Sequence, residues 1–194
     1  MLQEALAFLV RNLASFFILN LLLRFYLQVV RAPFGHPLAQ FTVKLTNFLV
    51  QPVRRIVPSV GSYDTATILL AWLGALLMHL ILLMLTPLPL VLASPNTVFG
   101  LMGLALLEVM KLSLYLLFGA VLVQAVLSWV HSYNPLTPLL DKLTRPYLGP
   151  IRRLLPNLGG IDLSPLVLIL LLQMIQLFVL APIEQQILRF ILLG

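Results

Sequence analysis

Four stretches of the chain are almost wholly apolar: about Ala5 to Val30, Ala66 to Leu92, Val98 to Val130, and Pro165 to Gly194. Each is long enough for the roughly 20 residues that an α-helix needs to cross the hydrocarbon core of a bilayer. Lipid offers no partner to a free backbone amide, so the pattern predicts four membrane-spanning helices and an all-α integral membrane protein. The third and fourth stretches exceed a single crossing. Their outer ends are expected to tilt, kink or lie along the interface, and Pro182 is the expected break in the fourth.

The polar intervals set the orientation. Residues 31 to 64 carry Arg31, Lys44, Arg54 and Arg55, and residues 131 to 162 carry Lys142, Arg145, Arg152 and Arg153, whereas the connector 93 to 97 has no charge. Basic loops stay in the cytoplasm, so both long loops are expected there and the connector and both termini on the periplasmic side of a bacterial inner membrane.

Each long loop contains a helical pattern. In the second, Asn134 suits an N-cap and Pro135 a first turn, and Leu136, Leu139, Leu140 and Leu143 then fall on one face, opposite Asp141, Lys142 and Arg145. In the first, Leu38, Phe41, Leu45 and Phe48 oppose Gln40, Lys44 and Asn47. Such helices are expected to lie flat at the cytoplasmic interface. Pro52 and Pro58, and Pro150 and Pro156, bracket the two Arg-Arg pairs and restrict how those stretches fold, holding the guanidinium groups near the headgroups. Beyond the second pair, Gly159 and Gly160 predict a tight turn. Asp162 and Ser164 compete to cap the last span, with Pro165 in its first turn. The first loop keeps Gly61 and Asp64 but has Ser62 and Thr67 in place of the second glycine and the proline, so its turn is expected to be the looser.

These likenesses are one internal repeat. A shift of 98 superposes residues 37 to 64 on 135 to 162, and 11 of the 28 ungapped positions are identical: Pro37, Leu38, Lys44, Leu45, Thr46, Pro52, Arg54, Arg55, Pro58, Gly61 and Asp64. The chain therefore divides into a unit over 1–92, a connector over 93–97 and a second unit over 98–194. Each unit reads span, basic loop, span. An even number of spans per unit makes the repeat parallel, with any pseudo-twofold axis along the membrane normal.

Composition narrows the chemistry. Hydrophobic residues make up 61% of the chain and charged residues 9%, against about 25% charged in soluble domains. The formal charge is +6, and eight of the twelve basic residues lie in the two loops. The expected partners are thus the phospholipid bilayer, its anionic headgroups, and other membrane proteins or a second copy of the chain, with no direct nucleic-acid ligand. Cysteine is absent, which excludes disulfides, thiol nucleophiles and thiolate metal sites. His36, His79 and His131 are not at metal-ligand spacing, and no phosphate loop, nucleotide fingerprint or nucleophile elbow occurs. The expectation is a protein with no catalytic residues, no metal and no cofactor. Glu4 precedes Arg11, the first basic residue, and no small-residue cleavage site follows, so the first span is expected to be retained.

Two readings stand for Arg54, Arg55, Arg152 and Arg153, with Lys142 and Arg145 beside them: a docking site for anionic lipid or a partner, or a plain anchor of topology. Asp64 and Asp162 begin spans, where helix capping explains them and an ion pair with an arginine of the same loop is the alternative. Within the spans lie Arg11, Asn20, Arg24, His79, Glu108, Lys111, Gln124, Gln173 and Gln176. Glu108 and Lys111 are expected near the outer end of the third span, where they pair or snorkel. His79 lies roughly 20 Å into the second span at 1.5 Å per residue, with no acidic residue expected at its level. Interhelical hydrogen bonding is the expected use of Asn20, His79, Gln173 and Gln176.

The run NPLTPLLDKLTRPYLGPIRRLLPNLGGIDLSP, followed by an apolar span, resembles the signature of the YggT family of bacterial membrane proteins. The resemblance covers most of the chain, because proteobacterial members also carry two copies. The first copy departs from the pattern at the Asn-Pro start, which is His36-Pro37, and at the GGIDLSP ending. The resemblance implies a part in tolerance of osmotic and extracytoplasmic stress, with relatives implicated in cell division, nucleoid distribution and cytochrome assembly, and no agreed biochemical activity. Sequence and resemblance together lead to the expectation of a non-enzymatic inner-membrane protein whose basic loops hold lipid or protein partners. The alternative is a small channel or transporter for ions or osmolytes.

Overall fold

The structure is a computed structural model that describes residues 1–32, 35–61, 63–85, 94–130, 134–155 and 162–193. Their regular structure is helical, with one isolated antiparallel bridge between Val60 and Tyr63. The helices are α1 (Leu2–Val29), α2 (Pro37–Arg54), α3 (Thr65–Leu85), α4 (Pro95–Val130), α5 (Thr137–Leu154) and α6 (Ser164–Ile175); a π-helical turn (Gln176–Leu180) then leads into α7 (Ala181–Leu193). Four helical stretches are long and apolar enough to cross a membrane: Leu2–Val29, Thr65–Leu85, Pro95–Ser128 and Ser164–Leu192. Only 17% to 28% of each span is buried within the chain. Leu13, Phe16, Leu77, Leu106, Leu170 and Phe178 therefore face outward, an apolar surface that lipid covers and water would not tolerate.

Sequence-adjacent spans run antiparallel. Ser15 and Ile18 of α1 meet Met78 and Gly74 of α3, and Gly100 and Gly103 of α4 meet Ile191 and Ile187 of α7. The α4 helix holds the units together: Ala105, Val109 and Leu112 join Ile18, Leu21 and Leu22 of α1 and Ala71 and Ala75 of α3 in one buried cluster. Farther along α4, Val121 packs with Leu148 of α5 and with Leu168 and Leu172 of α6.

Two expectations about the long spans change. The third span is a single helix of 36 residues, continuous from Pro95, so Glu108 and Lys111 lie well inside it rather than near its outer end. The fourth does not break at Pro182. The turn before it widens to a π-helix, in which the Ala181 N–H bonds to the Gln176 carbonyl, and the helix continues through Pro182 into α7.

Helix α1 stops at a left-handed residue. Arg31 has φ 50°, the Ala32 N–H returns to the Leu27 carbonyl at 2.9 Å, and the Arg31 N–H returns to that of Gln28 at 3.1 Å. Leu27 and Ala32 close the turn by packing together with Ala39 of α2 and with Leu139 and Leu143 of α5. Both loop helices thus gather at the same end of α1.

Candidate functional site

The two loops are built alike from their first residue. The Asn134 side chain accepts the Leu136 N–H at 2.9 Å, and His36, its counterpart, accepts the Leu38 N–H through Nδ1 at 3.2 Å. The histidine thus performs the asparagine's turn-starting role, and the degenerate start of the first copy keeps its geometry. Pro135 lies between Asn134 and Leu136 in this turn, and α5 itself begins two residues later.

The shared Lys-Leu-Thr triplet is explained by its threonines. Thr46 and Thr144 are fully buried, and each is held by a polar side chain of the preceding span. Arg24, only 4% exposed, donates to Thr46 Oγ1 at 2.9 Å and to Asn47 Oδ1 at 3.3 Å; Gln124 accepts from the Thr144 hydroxyl and donates to Asp141 at 3.4 Å. These two contacts fix α2 and α5 against the bundle. Neither Arg24 nor Gln124 stood out in the sequence as a loop anchor, because nothing local links them to threonines 22 and 20 residues away.

The loop helices differ in which face they bury. In α5 the expected apolar face packs inward, through Leu139, Leu140, Leu143 and Leu148. In α2 the buried face is Ala39, Thr42, Thr46 and Val50, whereas Leu38, Phe41 and Phe48 are exposed. Small residues let α2 approach α1 and α3 closely, and its large side chains are left to lipid.

The Arg-Arg pairs sit on these helices. Pro52, Pro146 and Pro150 lie inside α2 and α5, so Arg54, Arg152 and Arg153 occupy final turns, where cations meet the negative helix end. Within each pair the two arginines have different environments. Arg54 Nε donates to Asp64 Oδ2 at 3.1 Å, and Arg152 Nε donates to Asp162 Oδ2 at 2.9 Å. The side chains of Arg55 and Arg153 are exposed and make no hydrogen bond or ion pair among the described residues. The next residues, Ile56 and Leu154, are 82% and 83% exposed.

The aspartates both cap and pair. Asp162 Oδ1 accepts the Ser164 N–H at 2.9 Å while Oδ2 holds Arg152, so Asp162 performs the capping and Ser164, fully buried beside buried Pro165, donates to it. Asp64, 1% exposed, accepts from Arg54 and from the Thr67 hydroxyl. Burial pushes the Asp64 carboxyl up, but the bonds from Arg54 and Thr67 outweigh it and hold the group below its ordinary 3.8. At Asp162 burial acts the same way and is outweighed by Ser164 and Arg152. Pro156, Gly159 and Gly160 lie outside the described residues, as does Ser62.

Lys142 is also engaged, donating to the Arg31 carbonyl at 3.0 Å and so tying the second loop to the end of α1. Arg145 and Lys44 are exposed and have no partner among the described residues.

Inside the spans, Asn20 donates to the Phe16 carbonyl of its own helix at 2.8 Å. Among the described residues, His79 Nε2 is buried without a partner and the side chains of Gln173 and Gln176 make no hydrogen bond. Among the described residues, none of the four makes the interhelical hydrogen bond expected of it. Lys111 pairs with Glu184 of α7, not with Glu108. His79 lies within electrostatic range of Glu184, Lys111 and Arg11, and Glu108 within range of the same three. The histidine that seemed to lack acidic company therefore has it. Glu184, close behind Pro182, escapes the sequence reading because nothing local places it level with Lys111.

A bundle of four apolar spans, arranged as two copies of a span, basic helix and span, defines a polytopic α-helical membrane protein with a tandem repeat. The family model described as CCB3/YggT matches residues 3–85 and 103–183, one segment in each copy, and the chain belongs to this family. It is 36% identical to the YggT protein of Escherichia coli (strain K12) over 177 residues, covering 90% of this chain and 89% of that one. It is also 39% identical to a protein of Vibrio alginolyticus over 172 residues, 88% and 91% of the two chains, and 39% identical to one of Pseudomonas aeruginosa over 180 residues, 92% and 89%. No solved structure matches the chain.

Proposed function

We propose that this protein is a non-enzymatic organiser of the bacterial inner membrane, whose two basic loops grip anionic lipid headgroups on the cytoplasmic face, with both termini periplasmic. One observation carries this reading: in both copies the first arginine turns inward to an aspartate, while the second is free and followed by an almost fully exposed aliphatic side chain. A guanidinium group suits a phosphate bidentately, and an exposed Ile or Leu beside it suits the headgroup–acyl boundary. Each basic residue near an anionic surface contributes about 1 kcal/mol, so Arg55 and Arg153, with Lys44 and Arg145, suffice to enrich anionic lipid around the loops. A platform of this kind serves envelope stress tolerance or the assembly of membrane complexes by gathering lipid and protein partners.

The test is lipid retention. Full-length protein is purified from vesicles of mixed neutral and anionic phospholipid, and the bound lipid is counted by native mass spectrometry. The double variant Arg55→Ala/Arg153→Ala is expected to lose anionic lipid while keeping its thermal midpoint. Retention equal to wild type would sink the reading.

The polar cluster among α1, α3, α4 and α7 favours the second reading, a pathway for ions or osmolytes. Arg11, His79, Glu108, Lys111 and Glu184 bring charge from both copies into the span region, where ionisable groups commonly mark transport routes. Liposome flux of potassium, protons and small osmolytes under an osmotic step, compared between wild type and His79→Leu, decides it. Flux abolished by His79→Leu supports a pathway, and no flux in either protein removes it.

A further inference from the structure

We propose that the outward face of α6 is the contact surface for a second copy of this chain within the membrane, with Gln173 at its centre. Leu166, Leu170 and Gln173 on α6, and Leu177 in the π-helical turn that follows, come at steps of 4, 3 and 4, the spacing of one helical seam. All four point away from the bundle, the leucines being 59%, 52% and 64% exposed in that order. Gln173 lies nine residues beyond Ser164, which at 1.5 Å per residue puts it roughly 14 Å along the span, near the middle of a hydrocarbon core about 30 Å thick.

A carboxamide there cannot be left to acyl chains, which neither donate nor accept hydrogen bonds. Beside it, between α4 and the π-helical turn, is a groove of about 430 Å³ lined by Lys111, Tyr115, Gln173, Gln176, Leu177 and Glu184. Two polar features of this groove suit a second copy. An amide both donates and accepts, so Gln173 related by a twofold axis pairs with itself. The Lys111–Glu184 pair is neutral and carries both signs, so a rotated copy meets it with opposite charges rather than like ones. A face of this kind is isologous, and a single polar residue in an apolar seam fixes register as well as adding affinity. The proposal stands apart from the headgroup reading, which concerns the other surface.

The chain has no cysteine, so single substitutions report proximity directly. Purified Leu170→Cys, Leu177→Cys and Leu77→Cys proteins are reconstituted in phospholipid vesicles at high dilution and oxidised; Leu77, on α3, is 57% exposed and serves as the control. Disulfide-linked dimers are expected from the first two and not from the third. By energy transfer between labelled copies, Gln173→Leu is expected to raise the dissociation constant about three- to thirtyfold, from the typical strength of a buried interhelical amide bond, and Gln173→Asn to restore most of it. Leucine suits a lipid-facing position, so an unchanged thermal midpoint shows that Gln173→Leu folds. Absence of dimers, equal cross-linking at Leu77→Cys, or an unaltered dissociation constant in Gln173→Leu overturns the proposal.

Discussion

Arg54 and Asp64 stand ten residues apart on either side of the Gly61 turn, and their side chains close that turn by an ion pair in which the carboxylate is almost wholly buried. The second copy repeats the pair as Arg152 and Asp162, but there both partners are about 40% exposed. The geometry is duplicated and the burial is not, so the two pairs should differ in worth. Asp64→Asn removes a buried carboxylate that accepts from both Arg54 and Thr67 and is expected to cost roughly 1–3 kcal/mol. Asp162→Asn, screened by solvent, is expected to cost about 0–1 kcal/mol. Unfolding of the two variants in mixed micelles checks this, and equal losses would show that the first turn does not depend on burial of Asp64.

Acid should act through the same residue. The Asp64 carboxyl is held below its ordinary value of 3.8, after its burial is outweighed by Arg54 and Thr67. A depressed carboxylate contributes stability that is fully present above its unfolded value and is lost as pH falls through its folded value. The thermal midpoint is therefore expected to hold from neutrality down to about pH 5 and to decline progressively below pH 4. Asp64→Asn removes most of that decline; a slope unchanged by the substitution would assign the acid sensitivity to other groups.

His36 and Asn134 make the same i to i+2 bond, and this gives a substitution with an unusual sign. His36→Ala removes the acceptor and is expected to destabilise by about 0.5–2 kcal/mol, as loss of a helix-start side chain does. His36→Asn restores the acceptor with a residue better suited to the position and is expected to match or exceed wild type. A loss in His36→Asn equal to that in His36→Ala would mean that the imidazole serves another purpose there.

Much of this architecture could be read from the chain alone, for reasons specific to membranes. The spans follow from the need to satisfy the backbone, which leaves apolar runs such as Ala66 to Leu85 one choice. The repeat follows from identities whose purpose the structure explains: Thr46 and Thr144 are buried anchors, and Arg54 with Asp64 is one ion pair seen twice. What stayed hidden is what depends on distant partners or on lipid as solvent. Lys111 and Glu184 are 73 residues apart, and no periodicity links them. The buried face of α2 is not written in the hydrophobic pattern because, next to lipid, large apolar side chains gain little by turning inward, whereas Ala39, Thr42 and Thr46 gain close contact. The hydrophobic pattern thus marks an apolar face on each loop helix, but not which of the two packs on the bundle, as that of α5 does, and which is left to lipid, as Leu38, Phe41 and Phe48 of α2 are.

Close contact also governs the seam between α4 and α7, where two glycines three residues apart predict opposite outcomes. A Cβ on Gly100 would lie 2.2 Å from Cγ1 and 2.6 Å from Cδ1 of Ile191, far inside contact distance. Gly100→Ala must push the helices apart or force Ile191 off its rotamer, and is expected to cost about 1–3 kcal/mol. At Gly103 the nearest atom to an added Cβ is Cδ1 of Ile187 at 3.4 Å, ordinary contact. Alanine is the better helix former by about 1 kcal/mol, so Gly103→Ala is expected to be neutral or slightly stabilising. Trimming the obstacle should rescue the first change: Gly100→Ala/Ile191→Ala is expected to be more stable than the sum of its parts, a coupling that a double-mutant cycle on thermal midpoints measures. Strict additivity would mean that the two residues do not touch, and the pairing of α4 with α7 would have to be redrawn.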